Sequence, residues 1–257
     1  MKKPTPEFLL IDAGNTRLKW AVAGKKWPGR VAGDIATNEA SLAWIKALAR
    51  KFPAHPTILA CVVPTLAPAF RRAFGTRLVE VTAALPELGH LDNFRFCYPK
   101  PEEIGADRLA AAVAALAWGQ YPAIIVACGT ATAFTVLDAK GRLCGGAIAP
   151  GLQTQLAALL GAAAQLPATT FRPPRSALAR STREAIRAGV MLNFQGGAKE
   201  IIHQLTQALP GRKKPRIILT GGNAHHLARN LDAPFTLRPL LVFEGLLIIG
   251  FRTLGPG

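Results

Sequence analysis

Three short glycine-containing turns each follow an apolar run: Asp12-Ala13-Gly14-Asn15-Thr16, Cys128-Gly129-Thr130-Ala131-Thr132 and Thr220-Gly221-Gly222-Asn223. Small residues at such turns let phosphate oxygens approach backbone N–H groups that a side chain would obstruct. One such turn says little, because glycine turns join strands in most α/β proteins. Three in one chain point to a phosphate-bearing ligand. None has the spacing of a Walker A loop or of GxGxxG, so neither a P-loop nor a Rossmann dinucleotide site is expected. Cys61, Cys97, Cys128 and Cys144 lie far apart with no CxxC spacing, which fits a reducing cytoplasm and excludes a disulfide framework. His225 and His226 are adjacent, and neighbours on a helix point about 100° apart, so no zinc site is expected there.

Composition narrows the remaining classes. The chain has 257 residues, half of them apolar, which is enough for a sizeable core and excludes intrinsic disorder. The charge-free stretches Leu109–Leu137 and Leu143–Phe171 are interrupted by Gly119 and Pro122, and by Gly145, Gly146, Pro150, Gly151 and Gly161, so neither is a membrane span. Phe8–Ile11 is too short an apolar run for a signal peptide, and a cytoplasmic protein is expected. The net charge is +16, with basic clusters at Lys2–Lys3, Arg71–Arg77, Arg172–Arg187 and Arg212–Arg216. With two Tyr and four Trp, no aromatics interleaved in the basic runs and no known reading motif, nucleic acid is not expected as a partner. The charge reads instead as a basic solvated surface whose field draws anionic small molecules.

The elements that must position these turns alternate between β and α. Phe8–Ile11 and Leu18–Ala23 form a hairpin around the first turn, and Asn38–Phe52 reads as a helix capped by Asn38. Strand Thr57–Val63, helix Leu66–Phe74 and strand Arg77–Val81 follow, then a helix over Glu102–Trp118. The pattern then restarts with strands Ala123–Cys128, Ala133–Leu137 and Arg142–Ile148. Aligning Gly14 with Gly129 gives two strand–turn–strand units offset by 115 residues, an internal duplication. A helix from Pro150-Gly151 to about Leu160, a basic loop Arg172–Arg180, one long helix or two over Thr182–Leu209, strand Arg216–Thr220, helix Ala224–Asn230 and an apolar terminal helix Leu240–Phe251 complete the reading.

Duplicated hairpins with a third Gly-Gly turn near the C-terminus resemble the actin-like sugar kinase and Hsp70 architecture. The detail is narrower. Asp12 to Lys19, Tyr98 ahead of Gly105-Ala106-Asp107-Arg108, Gly129-Thr130-Ala131, Gly145 to Gly151, Ser181 to Ile186 and Thr220-Gly221-Gly222 resemble type III pantothenate kinase over most of the chain. That resemblance implies an α/β fold of two duplicated RNase H-like halves, 1–117 and 118–257. It also implies ATP with magnesium as cofactor, pantothenate as substrate and a homodimer. The implied reaction is phosphorylation of pantothenate to 4′-phosphopantothenate, the first step of coenzyme A synthesis.

By the same resemblance Asp12 would hold magnesium, while Ala13, Gly14, Asn15, Thr16, Arg17, Leu18 and Lys19, with Thr130 from the second half, would meet ATP. Asp107 would be the catalytic carboxylate, since phosphoryl transfer to an alcohol needs a group within hydrogen-bond reach of the hydroxyl to orient it and accept its proton. The plainer reading of Asp107 is a helix N-cap. Gly105 and Ala106 would leave the approach uncrowded, Arg108 would bind pantothenate's carboxylate, and Tyr98 and Thr182 would hydrogen-bond it. The sequence departs from the family at Ala127, where many members have an Asp that binds a monovalent cation such as potassium or ammonium. Ala133 and Thr135 stand where Thr and Asp are expected. Cation dependence is therefore in doubt, and these positions favour the alternative of a weakly active or inactive nucleotide-binding regulatory protein of Bvg accessory factor type.

Overall fold

The computed structural model of the chain describes residues 7–24, 30–85, 94–211 and 213–255; Lys2, Lys3 and Arg212 of the basic clusters lie outside them. In chain order the elements are β1 (Phe8–Ala13), β2 (Arg17–Ala23), β3 (Gly33–Ala36), α1 (Leu42–Lys51), β4 (Thr57–Cys61), α2 (Ala67–Phe74), β5 (Leu78–Glu80) and α3 (Ala106–Ala117). They continue with β6 (Ala123–Cys128), β7 (Ala131–Leu137), β8 (Leu143–Pro150), α4 (Leu152–Ala162), α5 (Thr182–Ala208), β9 (Arg216–Thr220), α6 (Ala224–Ala228), β10 (Phe235–Leu237) and α7 (Leu241–Leu254).

The strands form two five-stranded sheets, β3-β2-β1-β4-β5 and β8-β7-β6-β9-β10, so the same order occurs twice. In each, the first hairpin is antiparallel and the next two neighbours are parallel. The register repeats as well: Leu9 faces Thr57, and 115 residues on Ile124 faces Ile217. The expected duplication is thus present rung by rung, as two RNase H-like α/β units. Contacts divide the chain discontinuously into Met1–Tyr121, Lys140–Leu143 and Leu240–Gly257, and Pro122–Ala139 with Cys144–Pro239. A single cut between 117 and 118 separates the sheets but not the helices, because α7 belongs to the first unit.

In the first unit β1 is buried on both faces, which is why it reads as a continuous apolar run. Leu9 and Ile11 pack with Leu18, Ile45, Leu48, Phe70 and Phe74 of β2, α1 and α2. On the opposite face Phe8 meets Phe251 edge-on at 5.0 Å between ring centroids. Helices α3 and α7 cross so closely that a Cβ on Gly245 would lie 1.8 Å from the Ala110 carbonyl oxygen. In the second unit Ile124, Val126, Phe134, Ile217 and Leu219 form a core with Leu152 of α4 and with Ile186, Val190, Phe194 and Ile202 of α5.

Several expected boundaries move. Helix α1 starts at Leu42, where the Ser41 Oγ accepts from the Trp44 N–H at 3.2 Å, because Thr37–Glu39 form a short 3₁₀ turn and Asn38 is no cap. The 102–118 helix is split: Pro101–Glu103 form another 3₁₀ turn and α3 begins at Ala106. The 182–209 segment is one helix of 27 residues that continues through Gly196 and Gly197. Glycine weakens a helix interior by about 1 kcal/mol, and the burial of Met191, Phe194, Ala198 and Ile202 on the sheet side offsets it. Strands β3 and β10 add to the expected set. They are edge strands of four and three residues, too short to carry a period.

Candidate active site

The first hairpin carries Asp12 at the penultimate position of β1, opposite Lys19 on β2 and beside Ala60 on β4. Its turn is closed by the Gly14 N–H donating to the Arg17 carbonyl at 3.1 Å. A Cβ on Gly14 would sit 3.2 Å from that same oxygen, a tight contact. Thr37 holds the turn from outside: its hydroxyl donates to the Gly14 carbonyl at 2.7 Å and its N–H to the Thr16 carbonyl at 3.0 Å. Asn15 and Thr16 are exposed at the tip. Arg17 is paired with Asp34 on β3. Ala13 and Leu18 face each other across the ladder and are wholly buried in the core, so neither side chain can reach a ligand. Of the residues expected to meet ATP, these two, like Gly14, can contribute only backbone.

Asp107 lies in the first turn of α3. Helix α3 is capped by Gly105, with no side-chain bond, so Asp107 is not the N-cap. Its Oδ1 instead accepts from the Arg108 N–H at 2.8 Å, satisfying one of the free donors of the helix start from within the helix. A Cβ on Gly105 would lie 2.7 Å from that Oδ1 and 3.5 Å from Cγ1 of Val62, so the absent side chain is the space the carboxylate occupies. Ala106 is buried in the helix.

The electrostatics join these residues. Burial raises the Asp12 carboxyl to about 7, with the Asp107 charge adding and Lys19 opposing. Burial also raises Asp107, against the Arg108 N–H bond and the Arg108 charge. The guanidinium of Arg108 is lowered by burial and raised by Asp107 and Tyr98. Asp12, Lys19, Asp107, Arg108 and Tyr98 therefore form one interacting group in the first unit. Next to them Cys61 donates to the Val63 carbonyl at 3.3 Å, and burial raises its thiol, which disfavours the thiolate.

In the second unit the β6–β7 turn is closed by the Gly129 N–H donating to the Ala131 carbonyl at 3.0 Å. Thr130 is exposed at its tip, and its carbonyl accepts from the Gly151 N–H at 2.9 Å and from the Thr154 hydroxyl. Gly151 packs so tightly that a Cβ would lie 2.1 Å from the Gly129 carbonyl oxygen. The third turn docks on the same strand end: Gly221, at φ +88°, lies against the Cys128 backbone, and Asn223 exchanges two amide hydrogen bonds with Gln153, at 2.7 and 3.1 Å. Ala127 occupies the rung that Asp12 has in the first hairpin, and its partner is Ala133 where the first hairpin has Lys19. Thr135 is buried. Thr182 is exposed at the first position of α5, after the cap Ser181, whose Oγ accepts from the Glu184 N–H at 3.4 Å.

Sequence reasoning missed Thr37, Asp34 and Thr154, which hold the turns through contacts 17 to 24 residues away. Nothing in their local sequence marks them.

The family model for type III pantothenate kinase matches residues 8–204. A type III pantothenate kinase of Halorhodospira halophila is 38% identical over 93% of this chain and 96% of its own length, and one of Methylacidiphilum infernorum is 33% identical over 95% and 88%. Among solved structures, a conserved Baf family protein of Campylobacter jejuni has a TM-score of 0.60 at 18% identity, covering 96% of this chain and 98% of its own. The ethanolamine utilization protein EutJ of Carboxydothermus hydrogenoformans has 0.52 at 15%, covering 97% and 92%. These two likenesses concern the fold alone. With the family model spanning most of the chain and relatives above 30% identity along nearly all of it, the chain belongs to the type III pantothenate kinase family.

Proposed function

We propose that this protein transfers the γ-phosphoryl group of ATP to the primary hydroxyl of pantothenate, giving ADP and 4′-phosphopantothenate, with Asp107 as the catalytic carboxylate. The observation that carries this assignment is the Asp107 environment: a half-buried carboxylate with a raised pKa, in space left by Gly105, flanked by Arg108 and Tyr98. A base works best when its pKa approaches the operating pH, and burial moves Asp107 in that direction. It orients the hydroxyl and takes its proton as the bond to ADP breaks. Arg108 binds the substrate carboxylate, and Tyr98 hydrogen-bonds the rest of pantothenate.

Asn15, Thr16 and the N–H groups of the first turn, with Lys19 as a point charge, meet the phosphates. Arg17, tied to Asp34, steadies the turn. The donor set fits magnesium: Asp12 is a half-buried, hard oxygen ligand whose carboxyl is raised by desolvation and by the Asp107 charge, so a cation beside it is favoured. Bound magnesium supplies positive charge at the triphosphate. A potassium or ammonium site does not fit the second hairpin in the same way, because Ala127 offers a methyl group where the duplicated rung of the first hairpin has a carboxylate.

The family resemblance implies a homodimer and a cytoplasmic location, and no nucleic-acid partner is required. Among the described residues no helix is long and apolar enough to cross a membrane. Coupled measurement of ADP release with and without pantothenate tests the assignment. Pantothenate-dependent release supports it. Nucleotide binding without pantothenate-dependent release supports a regulatory protein of accessory-factor type, the reading that Ala127 and Thr135 favour.

A further inference from the structure

The second unit contains a cavity of about 710 Å³ that none of the residues assigned above lines. It lies where β9 and β10 begin, whereas the Gly221-Gly222 turn follows the other end of β9. One wall is a single face of α5, where Lys199, Ile202, His203 and Thr206 recur at intervals of three and four. The segment before β9 supplies Lys214, β9 supplies Arg216 and Ile217, and β10 supplies Phe235.

The duplication shows that this space is not a requirement of the fold. In the first unit Leu9 faces Thr57, which faces Leu78; in the second, Ile124 faces Ile217, which faces Phe235. By that register Arg77 and Pro234 are equivalent, each preceding the edge strand. Arg77 closes its corner by donating to the carbonyls of Phe52 at 2.9 Å and His55 at 3.2 Å. Pro234 has no side chain that can do so, and its corner is open.

We propose that this corner binds a small organic anion, one carrying a phosphoryl or carboxylate group on an apolar or planar body, at a site separate from that of phosphoryl transfer. Three cationic side chains line it against one carboxylate, Asp232, which is held by Lys199 at 2.8 Å. Lys214 and His203 are both exposed and line the cavity together with the apolar Ile202 and Ile217. The volume lies within the range of about 300–1,000 Å³ that small-molecule sites occupy, and the positive field of the chain raises the local concentration of anions.

The probe is 1-naphthyl phosphate, titrated calorimetrically into the full chain with magnesium, a non-hydrolysable ATP analogue and pantothenate at saturation, so that the kinase site is blocked. Saturable binding with one site per chain is expected. Lys214→Glu, an exposed position, should weaken it about tenfold. Ala233→Trp should abolish it by filling the space, and uncharged 1-naphthol should bind at least about tenfold more weakly than the phosphate. Pantothenate-dependent turnover should stay within about twofold of wild type in both variants, since neither touches the site of transfer. No saturable binding under blocked conditions would overturn the proposal, as would equal affinity in wild type and Lys214→Glu, or equal affinity for the neutral naphthol.

Discussion

Asp12 stands directly opposite Lys19 across the first hairpin, and the same two rungs of the second hairpin hold Ala127 and Ala133. A duplicated scaffold has kept the charged pair in one copy and a pair of methyl groups in the other. The polar chemistry at this strand end is thus concentrated in the first unit, where Asp107 joins Asp12.

Asp107→Asn tests the base directly. The amide oxygen can still accept from the Arg108 N–H, and Gly105 rather than residue 107 caps the helix, so the fold and nucleotide affinity should be retained. Turnover should fall by roughly two to four orders of magnitude in a steady-state assay. Unchanged turnover would remove Asp107 from the chemistry.

Gly105→Ala separates position from proton transfer. The backbone at φ −58° accepts alanine, but the new Cβ would lie 2.7 Å from the Asp107 Oδ1 and must displace it. The kcat should drop about ten- to a hundredfold with KM for ATP unchanged. An equal loss in both parameters would point to general damage instead.

Asp12 makes the metal-free protein sensitive to pH. Its carboxyl is raised from 3.8 to about 7, so the folded chain holds a proton that the unfolded chain releases. Stability from this group is complete below the unfolded pKa and is lost as pH rises towards 7. Asp12→Asn should therefore stabilise the metal-free protein at pH 7.5 by on the order of 2–3 kcal/mol, with the difference vanishing near pH 4. Thermal melts of both proteins across that range decide it. The same variant should lose MgATP use far more than pantothenate binding.

Gly245→Ala should disrupt the first unit. A Cβ there would meet the Ala110 carbonyl oxygen at 1.8 Å, and backbone on both sides leaves nothing flexible to yield. The cost should be about 3 kcal/mol or more, read as a fall in the urea midpoint.

Potassium should have little effect on the rate. With Ala127 in place of a carboxylate, no negative ligand offsets dehydration of the ion. Replacing potassium by tetramethylammonium at constant ionic strength should leave ADP release nearly unchanged; a large fall would mean that other ligands complete a cation site.

The duplication is legible in the amino-acid sequence alone, because β1 and β6 are central strands buried in their cores and their apolar runs end at glycine turns of the same kind. Strands Ala123–Cys128 and Arg216–Thr220 fall on their expected bounds. The edge strands β3 and β10 leave no such trace, since three or four half-exposed residues carry no period. Nor does the Ser41 cap, because Asn38 is as good a cap by type and only the bond from Thr37 to Gly14 commits the preceding turn elsewhere.

The residue types at the site are likewise written in the sequence, and their state is not. Asp12 and Asp107 can be named from their motifs, 95 positions apart, but the rise of the Asp12 pKa comes from the desolvation that folding imposes on it, with the nearby Asp107 charge adding. Leu18 sits inside the same motif as Asn15 and points into the core, a distinction that strand alternation makes and a motif does not. Sequence determined which groups were available, since chemistry follows from residue type and local spacing. Tertiary structure decided which were charged, held or sealed away, since desolvation, ladder register and closed corners such as that of Arg77 arise only between segments distant in the chain.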